Sequence, residues 1–510
     1  MYLSLIFLPL FGALLSNRWT GIKLGPQLSV LNMLIIFILT LISFYEISLA
    51  GSSITIELGS WIKYDLIKID WSFTIDTLTI SMFIPIIFIS LLVQFYSQNY
   101  MELDPHIVRF YSYLSLFTFF MLILICGDNL LILFLGWEGV GLASYLLINF
   151  WFHRLAANLA AMKAFFLNRL GDWGLMLGIV IILNLINDIS LSTLFSLGSY
   201  LNSDLLFIII IFFMIGTMAK SAQFGLHAWL SDAMEGPTPV SALIHAATMV
   251  TAGVYLLIRI SPILEWSETN LILIIWLGAI SSLLGAACGL LENDIKKIIA
   301  FSTTSQLGYM IVACGISQYS LSLFHLINHA FFKALLFLSA GAILHALFDE
   351  QDMRKYGSLI FYLPFTYISF IIGSFSLMAF PFLTGFYSKD FILEILLIPN
   401  NFTHTIAYFL TLIAAFLTSI YSIRLLILTF LSKPHFSLKM NHFISDPNLY
   451  ILIPLALLNL GAIFFGYIFN DLFLGLGSNF YSNSLFIHPD HLRLFDGLFS
   501  NNSNEYKIIP

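Results

Sequence analysis

With 510 residues, of which 59% are hydrophobic and only 10% charged, and a mean hydropathy of +0.93, the chain holds far too little charge for a soluble domain, where about 25% is usual. That composition specifies a polytopic membrane protein, and a net charge of −7 over this length indicates no nucleic-acid surface. Cys126, Cys288 and Cys314 stand alone in apolar segments, a spacing that supplies neither an iron–sulfur cluster nor a zinc site.

Leu3–Leu15 follows Met1 without a basic region or a clear small-residue cleavage site, so it reads as a retained helix and not a signal peptide. No Arg/Ser-rich presequence precedes it, and a protein of this kind working in an organelle is expected to be made there; 50 phenylalanines suit an AT-rich organellar genome. Long apolar runs between polar or Pro/Gly breaks predict about 14 membrane spans, near 2–20, 28–49, 72–97, 109–127, 129–151, 160–186, 205–230, 240–260, 270–291, 296–316, 319–347, 359–398, 402–431 and 448–471. Between the second and third, Ser53–Asp76 alternates apolar and polar residues, which predicts a short extramembrane hairpin. Past Asp471 the chain turns polar and irregular.

Charged residues inside these spans are the informative ones. Lys220 lies well within Leu205–Leu230, where a charge costs roughly 2.5–3.5 kcal/mol, so it either faces a cavity or partner or snorkels along its aliphatic stem. Glu138, in FLGWEGVGLASYLL, is flanked by Gly136, Gly139 and Gly141, which let a neighbouring helix cover it. One reading pairs Glu138 with Lys220 as a proton switch; the other is a protonated carboxyl bonded to a carbonyl. In LFHLINHAFFKALLFL, His325, His329 and Lys333 are spaced i, i+4, i+8 and share one helix face, a pattern suited to proton relay. His245 and His345 could extend it. Gly357–Ile398 is too long for one helix and contains Pro364, Pro381 and Gly385, so it reads as a broken helix with Lys389 and Asp390 near the break. Two interrupted segments, one carrying Lys220 and one carrying Lys389, point to an inverted-repeat transporter. Arg169 and Asp172 read as a local pair, and Glu292, Asp294, Lys296 and Lys297 as a solvated loop. No nucleotide motif, metal cluster or catalytic triad stands in the sequence, so charge at depth comes without an energy source of its own.

Five blocks, GWEGVGLASYLLINFW, KSAQFGLHAWLSDAMEGPTPVSALIHAATMVTAGVYLLIR, DIKKIIAFSTTSQLGYM, INHAFFKALLFLSAGAILHAL and GFYSKDFILE, resemble the subunit 5 family of respiratory complex I, the distal antiporter-like subunit of NADH:ubiquinone oxidoreductase. The resemblance runs from about residue 3 to 490. HAWLSDAMEGPTPVSALIHAATMV separates it from sister subunits 2 and 4, and the HAFFKALLFLSAGAILHA block favours a mitochondrial over a plastid form. The family motif has Pro where this chain has Ser231.

The resemblance implies an all-α polytopic fold with two inverted five-helix repeats, each with a broken helix, and a hydrated polar axis. It divides the chain into N-terminal helices and hairpin (1–107), a first half-channel (108–260), a second half-channel (261–431) and a C-terminal helix with polar tail (432–510). Carried over position by position, Glu138 and Lys220 match the first carboxylate–lysine pair, Lys333 the central lysine, Lys389 with Asp390 the second pair, and His245, His325 and His329 the connecting histidines. It further implies no redox cofactor in this chain, with NADH, FMN, iron–sulfur clusters and ubiquinone handled by partner subunits. Other expected partners are antiporter-like subunit 4 and the lipids of the mitochondrial inner membrane. Family members continue past the position of Pro510 with one more membrane helix, a long lateral helix and an anchoring helix, and a separate polypeptide is expected to supply them.

Three functions remain open on the sequence. The first is a proton-translocating subunit of the redox-driven pump. The second is a subunit of a multi-subunit sodium/proton antiporter, which shares these blocks. The third is a scaffold whose buried charges lock helix packing, an expensive device at roughly 8–10 kcal/mol for three lysines by simple addition. Co-purification with flavin and iron–sulfur subunits separates the first from the other two.

Overall fold

The computed structural model describes residues 1–18, 21–64, 67–398, 402–435, 445–475, 480–481, 484–489 and 491; expectations placed on the chain end, including the point at Pro510, lie outside them. Among these residues, 12 helices are long and apolar enough to cross a membrane, and Tyr2–Ser16 and Pro364–Met378 are shorter apolar helices. Together they account for the spans expected from hydropathy, in an all-α polytopic fold.

In chain order the helices are α1 (Tyr2–Arg18), α2 (Gly21–Ser43), α3 (Thr77–Tyr100), α4 (Ile107–Cys126), α5 (Leu130–Ile148), α6 (Leu155–Ile186), the short α7 (Leu191–Leu197) and α8 (Ser203–Lys220). They continue with α9 (Ala228–Asp232), α10 (Thr238–Ala246), α11 (Met249–Arg259), α12 (Ser261–Leu264), α13 (Glu268–Leu291), α14 (Ile295–Gly315) and α15 (Tyr319–Ala346). Last come α16 (Pro364–Met378), α17 (Phe391–Leu397), α18 (Phe402–Leu426) and α19 (Leu449–Leu474). The expected hairpin is β1 (Ile54–Tyr64) against β2 (Ile67–Ile75), antiparallel with Ile54 opposite Ile75. Asp76 then caps α3: its side chain accepts from Thr79 N–H at 2.9 Å while Thr79 Oγ1 accepts from Asp76 N–H at 2.9 Å.

Three spans are discontinuous. The 205–230 segment, expected to be one of two interrupted spans, ends its first helix at Lys220, turns through Ala222 (φ 49°) and Gly225 (φ 93°), and restarts as α9. The 240–260 segment, expected to be continuous, breaks between α10 and α11 at Ala247–Thr248, where Thr248 Oγ1 donates to Leu243 O at 2.6 Å. The third break was expected: α16 stops at Ala379 (φ 64°), and a π-helical turn, Phe386–Asp390, leads into α17. Near each break a main-chain carbonyl is met by a side chain from elsewhere in the protein, Ala219 O by Trp229, Ala246 O by His329 and Leu377 O by Lys389, the kind of partner that irregular backbone needs at membrane depth.

Loop contacts sort the helix ends into two sides. On the hairpin side, Asp128 N–H donates to Ser72 O, Leu130 N–H to Ile189 O, and Arg259 is ion-paired with Asp76. On the other, Met353 N–H donates to Asn293 O, Lys296 Nζ to Gly236 O at 3.3 Å, and Trp151 Nε1 to Asp104 at 3.1 Å. Lys296 corrects an expectation: it is buried, not solvated, whereas Lys297 and Asp294 form a half-exposed pair at 3.1 Å. The second side also carries Arg109, Arg154, Arg354 and Lys355 and is called the basic side below.

The core is centred on α10, α11, α14 and α15. Their apolar windows are 94–100% buried, against 28–39% for the peripheral α2, α6, α18 and α19. The central spans are therefore the ones in which polar side chains are sealed from lipid.

Candidate functional site

Glu138 is the ninth of 19 residues in α5, and Arg169 the fifteenth of 32 in α6. They form a close ion pair, Arg169 Nη1 donating to Glu138 Oε1, and both side chains are partly exposed. The local pairing expected between Arg169 and Asp172 is not what forms. Asp172 turns inward instead, accepting from Trp137 Nε1 at 2.8 Å and standing 4.0 Å from Lys220 Nζ. Lys220 also donates to Trp137 O at 3.2 Å and lies 5.6 Å from the Trp137 ring centroid, a cation–π approach. Glu138 and Lys220 are thus neighbours through Trp137, Arg169 and Asp172, and the direct carboxylate of Lys220 is Asp172. Lys220 does not snorkel; it is 1% exposed.

Close helix approach makes room for this ammonium. A Cβ at Gly136 would lie 2.6 Å from Leu124 Cα, which seats α5 on α4, and a Cβ at Gly141 would lie 2.9 Å from Lys220 Nζ. The glycines flanking Glu138 therefore serve both helix packing and the lysine.

From Lys220 the polar groups continue inward. Trp229, in α9, donates Nε1–H to Ala219 O at 2.9 Å, and its ring centre lies 6.1 Å from that of His245. His245 is fully buried next to the α10–α11 break, with Phe337 at 6.1 Å on another side, and no described protein group bonds either ring nitrogen. The next carbonyl, Ala246 O, receives His329 Nδ1–H at 3.3 Å; His329 Nε2 has no protein partner among the described residues. One turn away on α15, His325 is bonded at both nitrogens, to Ser388 Oγ at 2.8 Å and Gln306 Oε1 at 3.2 Å. Lys333, the fifteenth of 28 residues in α15, donates to Ser302 Oγ at 2.5 Å. The i, i+4, i+8 face expected from the sequence is intact, and His325, His329 and Lys333 are all fully buried.

Ser388 leads to the third break. Its neighbour Lys389 donates to Thr418 Oγ1 at 3.0 Å and Leu377 O at 3.4 Å and lies 5.2 Å from the Tyr309 ring centre. Leu377 belongs to the last turn of α16, so one of the carbonyls freed by the break receives the ammonium. Asp390 is half-buried, and the hydrogen bonds of Lys389 go to Thr418 and Leu377 O and not to this carboxylate.

The structure thus gathers Lys220, His245, His329, His325, Lys333 and Lys389 into one buried series from α6 to α18, with Glu138 and Asp390 at its margins. Sequence reasoning missed Asp172, Gln306, Ser302, Ser388 and Thr418. The hydroxyls and the amide carry no signal of their own; Asp172, however, was a carboxylate inside an apolar span and could have been weighed as Lys220's partner. Chemically the series alternates ammonium, imidazole and hydroxyl groups, each able to take or release a proton by changing its hydrogen-bond partner. Among the described residues, no group of three or more His, Cys, Asp or Glu is placed to hold a metal ion.

Comparison with known proteins fits this arrangement. Residues 127–424 match the family model described as NADH:quinone oxidoreductase/Mrp antiporter, TM, and residues 61–111 match that of NADH-Ubiquinone oxidoreductase (complex I), chain 5 N-terminus. NADH-ubiquinone oxidoreductase chain 5 of Rhizopus stolonifer is 53% identical over 501 residues, covering 97% of this chain and 76% of the relative. The same-named protein of Chondrus crispus is 50% identical over 509 residues, covering 96% and 76%. Among solved structures, a chain of the Mrp complex from Dietzia sp. DQ12-45-1b superposes with a TM-score of 0.83 at 24% identity, over 97% of this chain and 54% of that one. A chain of the archaeal membrane-bound sulfane sulfur reductase gives 0.82 at 22%, over 95% and 99%. At these identities the two structures establish a shared fold. The near-full-length relatives at 50% identity and above decide the family: the chain belongs to chain 5 of NADH-ubiquinone oxidoreductase, the antiporter-like membrane subunit of complex I.

Proposed function

We propose that this chain carries protons across the mitochondrial inner membrane as a membrane-arm subunit of NADH:ubiquinone oxidoreductase, through the buried series from Asp172 and Lys220 to Lys389. The observation that carries this reading is the continuity of the series. Buried lysines and histidines spaced within a few side chains of one another across several helices cost several kcal/mol, and a packing role accounts for a single pair, not a chain. Electrons pass from NADH through FMN and iron–sulfur clusters to ubiquinone in partner subunits, and the drive reaches this chain through the assembly. Glu138 and Asp390, at the margins, gate the two ends of the series by moving a negative charge toward or away from Lys220 and Lys389.

Orientation follows from charge. Lys and Arg concentrate on the side from which a membrane protein is inserted, so the basic side faces the matrix and the hairpin the intermembrane space. The partly exposed Arg169–Glu138 pair at mid-helix depth is costly against lipid, which supports a neighbouring subunit, antiporter-like subunit 4, covering the α5–α6 face. The sodium/proton antiporter reading rests on fold likeness alone, and the identities above favour complex I.

The test is a pair of activities measured on the assembled enzyme. Lys220→Ala and Asp172→Asn should lower quinone-linked NADH oxidation and proton uptake into vesicles while leaving NADH oxidation by an artificial acceptor intact. Coupled activity unchanged in both variants would remove these residues from the mechanism.

A further inference from the structure

We infer that protons enter from the basic side along a file of hydroxyls formed by Tyr100, Thr238 and Tyr96, with His345 at its mouth and His245 at its inner end; this rests on the relay reading above. The file lies where α3, α10 and α15 meet. His345, in the last turn of α15, is exposed, and its ring centre is 5.7 Å from that of Tyr100. Tyr100 Oη and Thr238 Oγ1 share a hydrogen bond of 2.8 Å in which either atom can donate. Tyr96, one turn deeper on α3 and fully buried, stacks on Tyr100 at 5.8 Å and bonds Leu338 O at 3.0 Å.

Gly341 brings the two hydroxyl branches together. A Cβ there would lie 2.7 Å from Tyr96 Oη and 2.9 Å from Thr238 Cγ2, so both side chains converge on one bare stretch of α15. Seven residues along α10 from Thr238, and therefore on the same face, stands His245 with both nitrogens free of described protein partners. Phe337, one turn before Gly341, lies against it. The remaining distance is about 10 Å at 1.5 Å per residue, which about three water molecules at hydrogen-bond spacing would bridge.

Accessibility falls in order along this line: His345 exposed, Tyr100 partly buried, Thr238, Tyr96 and His245 fully buried. A phenylalanine would fill the space of either tyrosine but lose the hydrogen bond to Thr238 Oγ1 or to Leu338 O. A hydroxyl earns its place here because it donates and accepts at once, so an incoming proton binds its oxygen as the resident proton leaves toward the next acceptor. When one proton has passed from His345 to His245, His345 has lost one positive charge and His245 has gained it, while each hydroxyl between them, having taken one proton and given one up, is unchanged in charge.

The experiment compares Tyr96→Phe/Tyr100→Phe, His345→Gln and Lys220→Ala in the assembled complex, reconstituted in vesicles. Protons moved per electron, the deuterium solvent effect on coupled turnover, and NADH oxidation by an artificial acceptor are read for each. The double phenylalanine variant is expected to lower the proton-to-electron ratio and raise the solvent effect, with artificial-acceptor activity unchanged. His345→Gln, at an exposed position where only the ring contact with Tyr100 is lost, should shift the same two readouts in the same direction, which keeps the test valid if the double variant assembles poorly. A packing role would lower the amount of complex but leave its ratio and solvent effect unmoved, and that result overturns the entry file. If the tyrosine and histidine variants pump normally while Lys220→Ala does not, entry lies elsewhere and the relay stands; if all three pump normally, both readings fall.

Discussion

Lys220 shows how a buried cation is placed by its surroundings more than by its own position. It ends α8, and its ammonium is held by Trp137 O, the Trp137 ring and Asp172, in space that Gly141 leaves open. Gly141→Ala is therefore expected to displace Lys220 and to lower proton pumping nearly as far as Lys220→Ala does, with artificial-acceptor oxidation intact. Normal pumping in that variant would show that the lysine tolerates being moved. The sequence identified Lys220 and Glu138 as members of the site because both are charged within apolar runs. It did not identify Asp172 as the direct partner, since Glu138, Asp172 and Arg169 differ only in where α5, α6 and α8 cross, and crossing is set by packing. Asp390 is the converse case: adjacent to Lys389 in sequence, it leaves the ammonium to Leu377 O and Thr418. Lys296 could not be told from Lys297 by composition, yet one reaches Gly236 O from a buried position while the other pairs with Asp294 at the surface.

At the scale of elements, the spans and the hairpin were legible because hydropathy and alternation report them directly. The α16–α17 break was legible from Pro364, Pro381 and excess length. The α10–α11 break was not: TMVTAGVYLLIR is continuous in hydropathy, and Ala247–Thr248 is opened by side-chain and tertiary bonds, Thr248 to Leu243 O and His329 to Ala246 O. Besides the bond from Asp128 N–H to Ser72 O, a charged tie fastens hairpin to bundle. Arg259, at the end of α11, binds Asp76 and donates to Thr74 Oγ1 at 2.8 Å, and Asp76 is also the cap of α3. Asp76→Ala removes both roles and leaves a buried guanidinium without its counter-ion, so a loss of about 3–5 kcal/mol is expected. Asp76→Asn keeps a capping side chain and should recover the capping share, about 1 kcal/mol. Thermal unfolding of the purified complex would check the order; equal losses would mean that the cap contributes nothing.

Across the whole molecule, the chain's late segment is tied back to the hairpin side by a buried carboxylate. On the hairpin side Glu265, between α12 and α13, is bound by His491 Nδ1 at 2.6 Å, Tyr319 Oη at 2.6 Å and His488 N–H at 3.1 Å. Burial pushes its carboxyl up, but hydrogen bonds from His491, Tyr319, Ser317 and the His488 N–H outweigh that and hold it below the usual carboxylate range. A carboxyl whose folded value is depressed contributes stability above its unfolded value and loses it as pH falls through the folded one. Residues 484–489 and 491 should therefore stay docked at neutral pH and loosen in acid, and Glu265→Gln should loosen them at neutral pH. Protease sensitivity of this segment reads both, and equal protection at all pH values would contradict the clasp.

The most direct test of the central claim, that the buried series conducts protons, is an experimental density map of the intact complex at a resolution that shows water. Buried polar nitrogens are almost always hydrogen-bonded, so His245 Nδ1 and Nε2 and His329 Nε2 should each be met by ordered water joining Lys220 to Lys389. A dry interior, with these nitrogens and the three lysines closed off by apolar side chains and carbonyls, would contradict conduction and leave the charges a packing role.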